Sequence, residues 1–322
     1  MKLCIKLVVG VFFLIFSFNA GAASSILEMM NITPSPQSVD YVNNKKQFQL
    51  YSLLTEQRHP KTYNLSAQIT RNTVAGLQSL LRVDEDISVK LTEIANNPAA
   101  LKNLEKASQA VQTAILSGQK IYFYGTGSTG RLAVAVESYL WRPFWEKMAK
   151  TPVWSKIDNQ LPNIQNRLRG EITGGDRALV SSLEGFEDLQ LIGKLQLQEN
   201  NIQKGDVVFA VTEGGETSAV IGTILAAANL YNQPSQNLYF VYNNPDSVLL
   251  PFDRSRAVIE NPLITKINLT TGPQAITGST RMQATTVSLY VSGVILEDAI
   301  YRVLQRYLSQ SELRELGFDK SL

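Results

Sequence analysis

The chain has 322 residues, 44% hydrophobic and 18% charged, with a net charge of +2. That balance suits an α/β globular core of one large domain or two small ones, and it excludes wholesale disorder. With 30 basic residues against 28 acidic ones and no long basic block, nucleic acid is not an expected partner. The first element in chain order is a leader. Lys2 and Lys6 precede an apolar run from Leu7 to Phe18, and Ala20-Gly21-Ala22 offers a small-residue cleavage site. This is the pattern of a secretory signal peptide over residues 1–22, its apolar run too short to span a bilayer comfortably. It predicts a periplasmic or secreted protein cleaved near Ala22. The only cysteine, Cys4, would leave with the leader, which excludes disulfides, thiol catalysis and cysteine-based metal sites. His59 is the only histidine, so neither a transition-metal site nor a Ser-His-Asp triad is expected, and no cofactor is called for.

Residues 23–53 read as a flexible leader, punctuated by Pro34 and Pro36. Residues 54–118 read as a helical region. Apolar positions recur at helical spacing from Leu65 to Arg82, with Asn64 as the expected cap. A second helix is predicted over Pro98–Ser117, stopped by Gly118. From residue 119 to 310 strands and helices alternate. Strands are predicted at Ile121–Tyr124, Leu168–Thr173, Asp206–Val211, Leu238–Tyr242 and, more weakly, Ile264–Leu269. Helices are predicted at Arg131–Trp145, bent or ended by Pro143, then at Asp176–Ser182, Asp188–Glu199 and Ser218–Leu230. The last, Met282–Leu308, is long and expected to bury its first half. Residues 311–322 read as a tail. The alternation predicts an open parallel sheet with right-handed connections, which binds ligands beyond the carboxyl ends of its strands.

The glycine-hydroxyl loops fall at those ends. After the first strand comes Gly125-Thr-Gly-Ser-Thr-Gly-Arg131, with Gly127, Ser128, Thr129 and Arg131 as candidate phosphate-binding residues. A strand that empties through glycines into a helix start leaves N–H groups pointing outward, and the macrodipole favours an anion. A tight turn without ligand is the competing reading. After the third strand, Thr212-Glu-Gly-Gly-Glu-Thr217 repeats the logic, with Thr212, Glu213 and Thr217 as candidates. Two such loops on neighbouring strands can grip one phosphate. A third segment ends in Gly278-Ser279-Thr280-Arg281, where Arg281 reads equally as an anion clamp or as an exposed residue at a helix start. A fourth carries Glu184, Glu187 and Asp188 around Gly185. One of these acids would serve as a general base if buried, although acids also favour helix starts for electrostatic reasons alone.

Together these segments resemble the sugar isomerase (SIS) domain, in the branch that holds N-acetylmuramic acid 6-phosphate etherase and the glucokinase regulatory protein. The first loop is similar to that branch's phosphate loop with one Thr-Ser pair swapped. Thr212–Thr217 is similar to the general Ser-Gln-Ser-Gly-Glu-Thr loop. Thr173-Gly-Gly-Asp-Arg177, Glu184-Gly-Phe-Glu-Asp188 and Gly272–Met282 resemble segments particular to the branch. The resemblance runs from about Leu54 to Ile300. It implies a three-layer α/β parallel-sheet SIS domain with an N-terminal helical extension, a phosphorylated sugar as ligand, and a homodimer whose subunits complete each other's sites. In the etherase scheme a glutamate removes the C2 proton and an acid helps lactate leave C3. Glu187 matches the base. Gap-free alignment puts Tyr139 at the acid's position, with Glu137 nearby but on nearly the opposite helix face. Gly214 removes one hydroxyl of the second loop, and most of the etherase's C-terminal helical part has no counterpart. The expectation is therefore a protein that binds an amino-sugar or hexose 6-phosphate with weak or no catalysis, and with a protein partner if it is regulatory as the glucokinase regulator is. The alternative is an etherase-like carbon–oxygen lyase.

Overall fold

The computed structural model describes residues 30–45, 49–181, 183–232 and 236–318. The signal-peptide reading, with Cys4 and the Ala20–Ala22 site, lies outside the described residues. The chain divides into two compact units, Met1–Gln49 and Leu50–Leu322. In the first, helix α1 spans Pro36–Asn44, and the Ser35 hydroxyl accepts from the Ser38 N–H at 3.1 Å. Pro36 sits in the first turn, where its missing N–H costs nothing. The flexible leader expected over residues 23–53 is thus corrected. Its second proline starts a helix, and at its other end Leu53 is fully buried in the core of the second unit.

The second unit opens with short 3-10 turns at Leu50–Ser52, Leu54–Glu56 and Pro60–Thr62. The single helix predicted over Leu65–Arg82 is two, α2 (Leu65–Arg71) and α3 (Thr73–Leu81). Asn72 breaks it by turning extended and accepting from the Ala75 N–H at 3.1 Å, while Asn64 makes no cap bond. An amide this close to the backbone competes with the helix ladder. Helix α4 (Glu85–Ala95) and helix α5 (Pro98–Leu116) follow, and Gly118 ends the second at φ 77°.

Strands β1 (Ile121–Gly125), β2 (Leu168–Ile172), β3 (Val207–Val211), β4 (Leu238–Tyr242) and β5 (Thr265–Asn268) form one parallel sheet in the order β2-β1-β3-β4-β5. Ile121 stands opposite Leu168 on one side and Val207 on the other. Between β1 and β3 the strand order reverses, which makes that gap the place for a ligand. Side chains alternate strictly. Ile121, Phe123, Phe209, Tyr239 and Val241 face one core, shared with α5. Tyr122, Tyr124, Val208, Ala210, Phe240 and Tyr242 face the other. Phe123, Phe209 and Tyr239 stack across three strands at 4.5 and 4.9 Å. Such pairs add about 0.5–1.5 kcal/mol each beyond burial. Both faces are covered, so the fold is the expected three-layer α/β arrangement with extra helices before it.

Helix α6 (Ser128–Ala135) leaves the first loop and widens into a π turn at Val136–Trp141 before α7 (Arg142–Met148). Pro143 lacks an N–H and crowds the carbonyl four residues back, so the helix bulges before it rather than ending. The short helices α8 (Trp154–Ile157), α9 (Arg177–Val180) and α10 (Glu184–Glu187) precede α11 (Gln190–Glu199) and α12 (Ser218–Tyr231). After α13 (Asp246–Leu249) and α14 (Asp253–Ile259) comes α15 (Gln283–Leu304). Its buried face runs the whole length, from Ala284 to Leu304, not only the first half. The tail predicted over residues 311–322 instead begins with helix α16 (Gln310–Glu315). Ser309 and Glu312 form its capping box, and Leu313 is fully buried.

Candidate sugar-phosphate site

The strands are parallel, so all five empty toward one edge. Backbone pairing continues a step past the strands there, with Thr173 N–H on Gly125 C=O and Thr212 N–H on Val241 C=O, both at 2.9 Å. The first loop turns through Gly127 at φ 55°, ψ −114°, a conformation that suits glycine, and a Cβ there would meet open space. Gly127 caps α6 and Thr217 caps α12, and neither helix start receives a side-chain hydrogen bond. Thr129 N–H is taken by Thr126 C=O at 3.1 Å, while the Ser128 and Ser218 N–H groups stand in the first turns at the edge between β1 and β3.

The hydroxyls divide into two kinds. Thr129 is buried, accepting from Thr126 N–H at 3.0 Å and donating to Thr126 C=O at 2.9 Å, so it shapes the turn. Thr212 is likewise buried. It accepts from Gly215 N–H at 3.2 Å and shares a hydrogen bond with Thr217 at 2.9 Å. Ser128 is half-buried and reaches across, donating to the Glu213 carboxyl at 3.1 Å. Thr285, in the first turn of α15, donates to the other oxygen of Glu213 at 2.6 Å. Three segments thus meet on one carboxyl, which is only 5% exposed. Burial pushes Glu213 up to about 7, against the opposing pull of the Thr285, Ser128 and Thr280 hydroxyls. Ser279 and Thr280, in the segment before α15, are half-buried, and Arg281 is exposed.

The second loop is held from outside the cleft. Glu216 is 5% exposed and pairs with Arg254 at 2.8 Å. Arg254 also donates to Ser218 at 2.7 Å, and Ser255 donates to Gly215 C=O at 2.6 Å and to Glu216. Asn244, fully buried after β4, accepts from Leu54 N–H at 2.8 Å and donates to Gly214 C=O at 3.0 Å. It ties the 3-10 turns at the start of the unit to the second loop. Further along those turns, Thr62 donates to Ala275 C=O at 2.8 Å, and Gly278 N–H donates to Thr55 C=O at 3.0 Å. His59, buried, bonds Asp86 at 2.8 Å and accepts from Lys61 N–H at 3.1 Å. The lone histidine therefore fastens the helical extension.

The remaining candidates are not all gathered there. Arg131 is exposed and donates to Gly127 C=O at 3.1 Å, bracing the first loop. Glu187 is exposed at the end of α10, whose Leu183 and Phe186 lie over Gly174 at the end of β2. The Glu184 side chain lies outside the described residues. Glu137 accepts from Arg142 at 2.7 Å and from Gly170 N–H at 2.7 Å, so its carboxylate pins the π turn to β2. Tyr139 is 79% exposed on that turn. At 1.5 Å per residue it stands about 16 Å along the helix from Ser128. Glu137 is thus committed to Arg142 and Gly170, and Tyr139 is turned to solvent. Sequence reasoning missed Thr285, Asn244 and Arg254. For Asn244 the signal was present, since a polar Asn243-Asn244 pair follows an apolar strand as the other loops do.

The N-terminal SIS domain of the glucokinase regulatory protein matches residues 103–228, which include both loops. The chain is thus similar to the SIS-domain family, in the branch that holds the N-acetylmuramic acid 6-phosphate etherases and the glucokinase regulatory protein. Within it, N-acetylmuramic acid 6-phosphate etherases from Salmonella agona and Salmonella choleraesuis are each 29% identical over 254 residues, covering 79% of this chain and 72% of theirs. The etherase of Salmonella typhi is 29% identical over 253 residues with the same coverage. Among solved structures, a phosphoheptose isomerase from Neisseria gonorrhoeae superposes with a TM-score of 0.41 at 13% identity, over 72% of this chain and 99% of that one.

Proposed function

We propose that this protein binds an amino-sugar 6-phosphate and acts on it as an etherase-like carbon–oxygen lyase. The observation that carries the reading is the convergence of both phosphate loops and the start of α15 on Glu213, in a chain similar to the etherases over most of its length. The phosphate would lie against the starts of α6 and α12, with Ser128 and Thr217 donating. Glu187, on a helix packed beside α12, would take the C2 proton as the C3–oxygen bond breaks and lactate leaves. A binding protein without turnover is the second reading. It is favoured by one observation, that Glu137 is committed to Arg142 while Tyr139 faces solvent. Lactate release from N-acetylmuramic acid 6-phosphate separates the two. Turnover that disappears in Glu187→Gln, with ligand binding kept, is the expected outcome. Binding with no lactate from the unaltered chain overturns the lyase reading. Export and homodimerisation belong to the same proposal, on the leader pattern and the family habit. A mature N-terminus near Ala23 and a doubled mass in solution are their checks.

A further inference from the structure

We propose that Glu213 couples ligand binding to proton uptake: its neutral carboxyl donates to a phosphate oxygen, so the phosphosugar is held with Glu213 protonated. This rests on the phosphate-site reading above. The general family loop has a glutamine at this place, a neutral donor of the same length. Here a titratable group takes it, 5% exposed and bridging Ser128 at 3.1 Å and Thr285 at 2.6 Å, in the loop that leads into α12 and across from the start of α6. An ionised carboxylate there would repel a phosphate dianion with little solvent to screen it, whereas a carboxylic acid donates to it. With its carboxyl pushed up to about 7, the empty site changes charge within the ordinary working range. The charged groups on the surrounding elements do not duplicate this role. Glu216 in the same loop is neutralised by Arg254, Arg131 on α6 and Arg281 before α15 are exposed and cationic, and Glu56 lies against Gly278.

The test is calorimetric titration of N-acetylglucosamine 6-phosphate into the full mature chain from pH 6 to 9, in two buffers of different ionisation enthalpy. Above pH 7, Kd is expected to rise about tenfold per pH unit, with about one proton taken up per ligand at pH 8.5. Glu213→Gln is expected to take up none and to hold its affinity within about threefold over that range. The ligand's own second ionisation, near 6, is common to both proteins. Thr285→Val removes a donor that favours the carboxylate, so the fall in affinity should begin at higher pH. Parallel profiles for the unaltered chain and Glu213→Gln overturn the proton coupling alone. Absence of binding by both at pH 6 overturns the phosphate site as well. Equal binding and slope with unphosphorylated N-acetylglucosamine overturns the role of the phosphate. Should Glu213→Gln fail to fold, an unmoved onset in Thr285→Val is the overturning result.

Discussion

The loops after β1 and β3 share a pattern of glycines and hydroxyls ahead of a helix, yet they are built by opposite means. The first is closed by contact. A Cβ on Gly125 would overlap the Thr129 carbonyl, one on Gly130 would overlap Ile172, and Thr129 is spent on its own turn. The second is roomy inside and tied from behind. A Cβ on Gly214 would meet nothing within 4 Å, while Glu216, Arg254, Ser255 and Asn244 fasten the loop to α14 and to the turns at Leu54. Close packing leaves the first loop one geometry. The second depends on a buried ion pair, so its shape is set by charges outside the cleft. One similar-looking motif is therefore held by close packing and the other, which carries Glu213, by polar tethers from outside the cleft.

The largest break in this comparison is Arg254→Ala. Glu216 is 5% exposed and would keep its charge without its cation. Breaking a buried pair from one side costs about 3–5 kcal/mol, because the remaining charge is stranded. Urea unfolding of the variant should show that loss, and adding Glu216→Gln should recover much of it. A loss below about 1 kcal/mol would mean that Ser255 and Asn244 hold the second loop without the pair, and the contrast with the first loop would weaken.

The frame was legible because its signals are local. Val207–Val211 and Leu238–Tyr242 are continuous apolar runs, as strands covered on both faces must be, and Gly118 and Gly174 mark stops that the backbone takes at positive φ. The site was legible by position, since glycine-hydroxyl loops at parallel strand ends fall at one edge. Which hydroxyl faces a ligand was not. Ser128 and Thr129 are adjacent and chemically alike, but helix geometry turns one outward and folds the other into Thr126. Arg254 was invisible for a related reason. It lies 38 residues from Glu216, on a helix with no motif of its own, and only the packing of α14 on α12 brings them together. The π turn was not legible either: Glu137 and Tyr139 lie within it, and the sequence offered only Pro143 as a sign that the helix there departs from regular geometry.

A smaller and more selective effect comes from paired glycine substitutions. Gly125→Ala places a methyl group against the Thr129 carbonyl and the Gly130 N–H, both backbone, so the start of α6 must move. Overpacking of this kind costs about 2–3 kcal/mol, and it would carry Ser128 away from Glu213. Gly214→Ala adds the same methyl group to open space at a backbone angle outside the left-handed region, so its stability should change by less than about 0.5 kcal/mol. Thermal unfolding with titration of the same phosphosugar compares them directly. If the two variants lose stability equally, the first loop is no more constrained than the second, and the division into a packed wall and a tied side fails. If Gly125→Ala loses stability but binds the phosphosugar unchanged, the first loop matters to the fold and not to the ligand. That result would shift the phosphate toward the start of α12, where Thr217 and the N–H groups after it would have to hold the ligand without the first loop.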